Sequence, residues 1–283
     1  MLLGYNTNGM VNHDLFDAVQ LLADIGYQSI AVTIDHNALS PHSRYNRQRV
    51  ERLRSLLEKR GLRSVIETGA RYLLDPRVKH EPTLVTADPA ARRRRIDFYK
   101  YAVDCAAELG SDCVSLWSGR VHGNVSYDAA MDLLADGLIE VLEYASSKQV
   151  SIGFEPEPDM LIDSMARWNE LLARTGLEDL CLTLDLGHLH CQGDGPIDQA
   201  ILRWASRMVN VHIEDMRADI HEHLMFGQGE LDFRPIFAAL SESGYAGGVH
   251  VELSRHSHDA PRVAKESFDF LMQLLRTTSA SDA

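Results

Sequence analysis

Between Ser151 and Glu252 the chain holds four short runs in which apolar and polar residues alternate. They are Ser151-Ile152-Gly153-Phe154-Glu155-Pro156-Glu157, Leu182-Thr183-Leu184-Asp185-Leu186-Gly187-His188, Val209-Asn210-Val211-His212-Ile213-Glu214-Asp215 and Gly248-Val249-His250-Val251-Glu252. Successive side chains of a strand point to opposite faces. Ile152 and Phe154, Leu182 and Leu184, Val209 and Val211, and Val249 and Val251 therefore share one face. Gly153 and Glu155, Thr183 and Asp185, Asn210 and His212, and His250 and Glu252 share the other. In each run the polar parity ends in a carboxylate or an imidazole. If these strands are parallel neighbours, Glu155, Asp185, His212 and Glu252 converge at one rim, where parallel barrels and open α/β sheets place their sites.

The rest of the chain repeats a strand and helix alternation. Residues 2–7 read as a first strand, followed by a helix over 15–25 that Asn12 or Asp14 caps and Gly26 stops. Residues 29–34 form a second strand, 35–45 a loop and 48–60 a helix ended by Gly61. Strand three covers 63–68 with Glu67 near its end, and the irregular stretch 69–89 is long enough to serve as a lid over a site. A helix over 92–109 opens with Arg92, Arg93, Arg94 and Arg95, read as a solvated first turn. Strand four covers 113–118, and Ser126 caps a helix to Lys148. Asp163 caps a helix to Arg174 after the run that carries Glu155, and the sixth strand ends at Gly187. Helices over 197–206 and 233–243 flank the His212 run, and Pro261 opens a last helix to Leu275. Eight strands alternating with eight helical patterns, with no hairpin signal, predict a single (β/α)8 TIM barrel of the α/β class over residues 1–276. A small polar tail, 277–283, is expected to fray.

Composition narrows the function classes. A length of 283 residues fits one barrel, and 45% apolar with 24% charged residues is ordinary for a soluble protein. A net charge of −13 argues against nucleic acid as a partner. Cys105, Cys113, Cys181 and Cys191 have no paired metal spacing and suggest a reducing, cytoplasmic setting. No basic leader with a long apolar stretch is visible, and no run of about 18 apolar residues suggests a membrane span. A homo-oligomer is compatible with all of this.

The converging carboxylates and imidazole make a mixed oxygen and nitrogen shell suited to Mn, Co, Mg or Zn. His188 lies three residues after Asp185, placed to join that shell, orient it or bind substrate. His221 and His223, spaced i and i+2, could hold a second metal or grip a substrate; a solvated loop is the plainer reading. Trp117 has the inward parity of its strand and offers an apolar face to a sugar ring, or simply fills the core.

The runs around Glu155, Asp185, His212 and Glu252, together with Met216-Arg217 and Gly227-Gln228-Gly229-Glu230-Leu231-Asp232-Phe233, resemble the xylose isomerase-like TIM-barrel superfamily. That group contains sugar-phosphate isomerases and epimerases and apurinic endonucleases. The resemblance implies that Glu155, Asp185, His212 and Glu252 are metal ligands. In ketose 3-epimerases the residues matching Glu155 and Glu252 also exchange the substrate proton, and His188 and Arg217 would bind substrate oxygens. The endonuclease branch uses three zincs with further histidines; here the corresponding positions hold Glu67 and Trp117, whereas His221 and His223 resemble its late ligand pair. Glu67, His221 and His223 are thus candidates for a second metal or for substrate. The expected activity is isomerisation or epimerisation of a ketose, sugar phosphate or cyclic polyol ketone by proton abstraction beside a carbonyl. The alternatives are a two-metal hydrolase, a dehydratase, and a ligand-binding barrel without activity.

Overall fold

A computed structural model of the chain describes the backbone of residues 1–281 and the side chains of residues 1–276. The tail expected over 277–283 lies outside the described side chains. Eight strands form a closed parallel barrel: β1 (Leu2–Asn6), β2 (Ser29–Thr33), β3 (Arg63–Glu67), β4 (Cys113–Leu116), β5 (Ser151–Phe154), β6 (Cys181–Asp185), β7 (Met208–Ile213) and, after a hairpin, β10 (Gly248–Val251). Each barrel strand pairs with the next in the chain, and β10 closes the ring between β7 and β1. Helices α1 (Leu15–Ile25), α2 (Asn46–Arg60), α3 (Pro89–Leu109), α4 (Tyr127–Ser147), α5 (Met165–Thr175), α6 (Leu186–Cys191), α7 (Ile197–Trp204), α8 (Phe233–Glu242) and α9 (Ala260–Ser281) follow the strands. Among the described residues no helix is long and apolar enough to cross a membrane, and all four cysteines are free.

The alternation read from the sequence sorts the side chains into two zones. Tyr5, Ile30, Val32, Ile66, Val114, Leu116, Ile152, Phe154, Leu182, Leu184, Val211, Ile213, Val249 and Val251 are buried in the core cluster that the helices cover. Trp168 of α5 stacks on Phe154 there, with ring centroids 5.5 Å apart. The barrel interior is small and polar instead. Thr183 donates to Ser115, and His250 bonds to Ser29 and Asn210. Gly4 leaves room for the His250 ring, since a Cβ at Gly4 would stand 2.3 Å from Cδ2 of His250. Val209 departs from the expected parity. The β6–β7 register shifts between Leu182 and Thr183, and the extra residue turns inward to pack on Ala31, Val65 and Cys113.

Four further departures have local causes. The stretch with His221 and His223 is an antiparallel hairpin, β8 (Asp215–Arg217) and β9 (Ile220–Leu224). Its turn carries Asp219 at φ 60 rather than an Asn-Gly or Asp-Gly pair, so no hairpin signal marks it in the sequence. The sixth strand stops at Asp185 rather than Gly187, because the Asp185 carboxylate accepts from the amide of His188 and starts α6. Helix α5 is capped by Ser164 rather than Asp163. Helix α3 begins at Pro89, capped by Asp88, so the arginine run lies beyond the first turn.

Arg95 of α3 falls on the face that Ala91, Phe98, Tyr99 and Ala102 bury, and so turns into the protein. Its side chain is fully buried and donates to the carbonyls of Thr68, His80 and Pro82, while the rings of Phe98, Tyr99 and Trp117 lie 5.1–5.4 Å from its guanidinium carbon. The 69–88 connection does lie over the barrel mouth, but Arg95 pins it to the frame. Arg95→Leu leaves the carbonyls without donors and should cost about 3 kcal/mol in urea unfolding, with faster proteolysis within 69–88. Arg95→Lys should recover less than half of the loss, since an ammonium lacks the planar fork that reaches several carbonyls at once. An Arg95→Leu protein as stable and as protease-resistant as the parent would refute this role.

Candidate active site

Strands β5, β6, β7 and β10 are consecutive neighbours around the barrel, and each delivers one side chain to the same point of the C-terminal rim. Nδ1 of His212 lies 2.9 Å from Oε1 of Glu155, 2.8 Å from Oε2 of Glu252 and 3.7 Å from Oδ2 of Asp185. One ring nitrogen carries at most one proton, so it satisfies one of these oxygens at a time. Oδ2 of Asp185 is buried with no hydrogen-bond partner. On the other side of the ring, Nε2 of His212 lies 2.9 Å from Oε1 of Glu67, which also accepts from Asn210 at 2.8 Å. With a cation bound, the proton on Nε2 held by Glu67 would leave the Nδ1 lone pair for that cation. That is the geometry of an imidazole ligand oriented by a carboxylate behind it.

The charges confirm the imbalance. Glu67, Glu155 and Asp185 are buried and Glu252 nearly so, with His212 as the cation among them. Burial pushes the Glu155 carboxyl up to about 8, despite the attraction of His212. Burial alone would raise Glu252 and lower His212, but their mutual attraction wins: Glu252 is held below its usual range and His212 well above its own. Carboxylates gathered in this way cost several kcal/mol each unless a cation neutralises them. The donor set and the orphaned Asp185 oxygen therefore fit a divalent cation, and the four ligand atoms lie within 4.8 Å of one another.

A second cluster adjoins the first. Nε2 of His188 and Nε2 of His221 are 3.1 Å apart, and Nε2 of His221 and Nε2 of His223 are 3.2 Å apart. Nδ1 of His188 points at the Pro156 carbonyl at 3.3 Å, and Nδ1 of His223 at the Glu252 carbonyl at 3.1 Å. A carbonyl accepts only from N–H, so both rings carry a proton on Nδ1; burial lowers His188 to about 4 and leaves a lone pair on its Nε2, whereas at His223 burial is overcome by Glu214 and Glu252, which raise it to about 10. Lone pairs at that separation repel unless a proton or a cation stands among them. Behind His223 lies Glu214, fully buried, with neither oxygen hydrogen-bonded and Oε2 at 3.8 Å from Nδ1. Burial pushes that carboxyl well above its usual range.

A cavity of about 390 Å³ opens over both clusters. Glu67, Trp117, Glu155, His212, His221, His223 and Glu252 line it, as do Arg71, Lys79 and His80 of the 69–88 connection. Trp117 is buried, with His80 edge-on at 5.4 Å. His188 sits beneath, 3.6 Å from Asp185 and 3.8 Å from Glu155, linking the clusters. Arg217 is not brought in: its guanidinium donates to the Gln228 carbonyl, outside the cavity lining. Glu67 lies behind His212 rather than beside the histidine trio. Three site residues escaped the sequence reading. Asn8 donates to Oε1 of Glu252 at 2.6 Å from a turn after β1 that carries no motif. Asn210 could have been found from its parity, one step below His212. Glu157, two residues past Glu155, brings its carboxylate to 3.9 Å from both His188 and His221.

A family model described as xylose isomerase-like TIM barrel matches residues 19–274. The L-ribulose-5-phosphate 3-epimerase of Shigella flexneri serotype 5b is 24% identical over 246 residues, covering 87% of this chain and 84% of that protein. Among solved structures, a D-tagatose 3-epimerase-like protein superposes with a TM-score of 0.81 at 19% identity, covering 100% of both chains. An L-ribulose 3-epimerase does so with a TM-score of 0.76 at 19% identity, covering 99% of this chain and 96% of that one.

The close fit of the site generates a prediction at Gly187. A Cβ there would stand 2.0 Å from Oε1 of the buried Glu214 and 2.8 Å from Cε of Met216. Gly187→Ala should therefore destabilise the fold by about 1–3 kcal/mol in urea unfolding, the usual effect of forcing a methyl into a filled interior. Gly69→Ala, where nothing lies near the Cβ and where, as at Gly187, φ is not left-handed, is the control. Equal losses in the two variants would show that contact with Glu214 is not the cause.

Proposed function

The chain belongs to the xylose isomerase-like TIM-barrel family, and we propose that it is a divalent-metal-dependent epimerase or isomerase of a ketose, its phosphate ester or a related polyol ketone. The observation that carries this reading is the convergence of Glu155 and Glu252, from β5 and the end of β10, on one point, each with one oxygen within 2.9 Å of Nδ1 of His212. The epimerases that the chain resembles support the same class of reaction.

In this reading Glu155, Asp185, His212 and Glu252 hold the cation. A bound divalent cation would supply the positive charge that steadies an enediolate. Glu155 and Glu252 exchange the substrate proton: one takes it from the carbon beside the carbonyl and the other returns one to the opposite face. Asn8 holds the second oxygen of Glu252, so that carboxylate cannot swing away from the site. Glu67 keeps the proton of His212 on Nε2. Trp117 offers its face to the carbon chain, and His188, its Nδ1 proton already given to the Pro156 carbonyl, accepts from a substrate hydroxyl with Nε2. The ligand is a small polyol or ketose.

Wild-type protein incubated with ketoses, their phosphates and inosose-like polyol ketones in deuterated water should place deuterium at the carbon beside the carbonyl, read by NMR. Glu155→Gln and Glu252→Gln should slow that exchange by at least about 100-fold. Asp185→Ala and His212→Ala should lose most of the bound metal, measured by elemental analysis. Unchanged metal content in both would remove the ligand assignment.

One observation favours a second reading. The trio of His188, His221 and His223 is suited to a second ion, and a two-ion site is a hydrolase arrangement. Two ions per chain, with cleavage of a phosphodiester or ester and no deuterium uptake on any ketone, would establish the hydrolase in place of the epimerase. One ion with exchange retains the first reading.

A further inference from the structure

A second cavity, of about 260 Å³, lies beside the first, and Asn8, Thr33 and Arg71 belong to the walls of both. These shared residues are close to the proposed chemistry. Asn8 reaches Glu252 with its amide. Arg71 donates to the carbonyl of Asn8 and lies 3.9 Å from Asp35, so its charge is already engaged. Thr33 is buried and donates to Asn6, which in turn accepts from the amide of Asn8.

Beyond this partition the lining changes character. Met10, Leu15 and Ala18 form a buried apolar floor, and Ala38 and Tyr72 flank it. Tyr72 is 47% exposed and can present its ring to the pocket. The polar lining consists of the buried Thr7, of His13, whose buried Nδ1 has no hydrogen-bond partner, and of His36 and Asn37, which are exposed, besides the shared residues and Asp35. An apolar pocket gives water few partners. The lining disfavours an anion, because the guanidinium of Arg71 is engaged by the Asn8 carbonyl and Asp35, and Asp35 faces the space beside it.

We infer that the substrate is a ketose carrying an uncharged, largely apolar substituent at the end remote from the reacting carbon, and that this substituent occupies the second cavity. The reacting carbon lies between Glu155 and Glu252, and the chain runs past Asn8 and Arg71 to reach the pocket. The inference rests on the proposed epimerase reading for its chemistry, while the pocket itself can be tested without turnover.

The binding test uses 1-O-benzylglycerol, a polyol with an aromatic ether, followed by saturation-transfer NMR on the intact protein. Saturation should be strongest on the aromatic protons. It should disappear in Ala38→Trp, whose side chain would fill the pocket from its edge, and in Val11→Phe, a second filling variant should the first fail to fold. Aromatic saturation that is absent in the wild type, or equal in the wild type and a folded filling variant, would overturn the proposal. In the kinetic test, a ketose benzylated on its terminal oxygen should be used about tenfold more efficiently than the parent ketose, a difference of about 1.4 kcal/mol. Ala38→Trp should abolish that preference. If neither ketose is turned over, the epimerase reading fails and the NMR result still decides the pocket.

Discussion

Everything in this site follows from placing more buried negative charge around one imidazole than that imidazole can neutralise. Glu67, Glu155, Asp185 and Glu252 surround His212, each fixed by a strand or strand end. Such a cluster would repel itself apart on a flexible support. The closed barrel prevents relaxation, because moving one ligand means moving a strand hydrogen-bonded to two others. The fold's rigidity is thus spent on holding a charge arrangement that only a cation or shared protons can balance.

The barrel interior explains why the arrangement is tolerated. Beside a small apolar cluster of Ala31, Val65, Cys113 and Val209, serine, threonine, asparagine and glycine take many of the places that bulky branched residues more often fill in barrel centres. Asn210 stands at the junction: its amide supports Glu67, while its carbonyl meets His250, which leans on Ser29. A continuous polar column therefore runs from the base of the barrel to His212. The apolar packing that stabilises the molecule lies outside this column, between strands and helices, so the requirements of stability and of chemistry fall on opposite faces of the same strands.

Period-two alternation made the barrel and its main cluster legible, because both are properties of strands and parallel order. Glu155, Asp185, His212 and Glu252 could be grouped before any coordinates were known. What stayed hidden depends on non-local geometry. Val209 looked like an outward residue until a shift of one residue between neighbouring strands turned it inward. Arg95 looked like its solvated neighbours, since four arginines in a row hide that only Arg95 shares the helical face of Ala91, Phe98, Tyr99 and Ala102. Asn8 has no neighbour in sequence that hints at Glu252, 244 residues away. Arg217 carried a motif resemblance, yet the hairpin aims it at Gln228.

The burial of Arg95 also has a meaning for inheritance. The 69–88 connection supplies Arg71, Lys79, His80 and Gly69 to the cavity wall, yet the residue that holds its backbone lies outside it, in the following helix. Individual side chains of the connection can drift without disturbing its path, provided the three carbonyl contacts survive. Transplanting the connection alone into a related barrel would leave its anchor behind. The unit that can be exchanged between such proteins is therefore the connection together with the first two turns of α3.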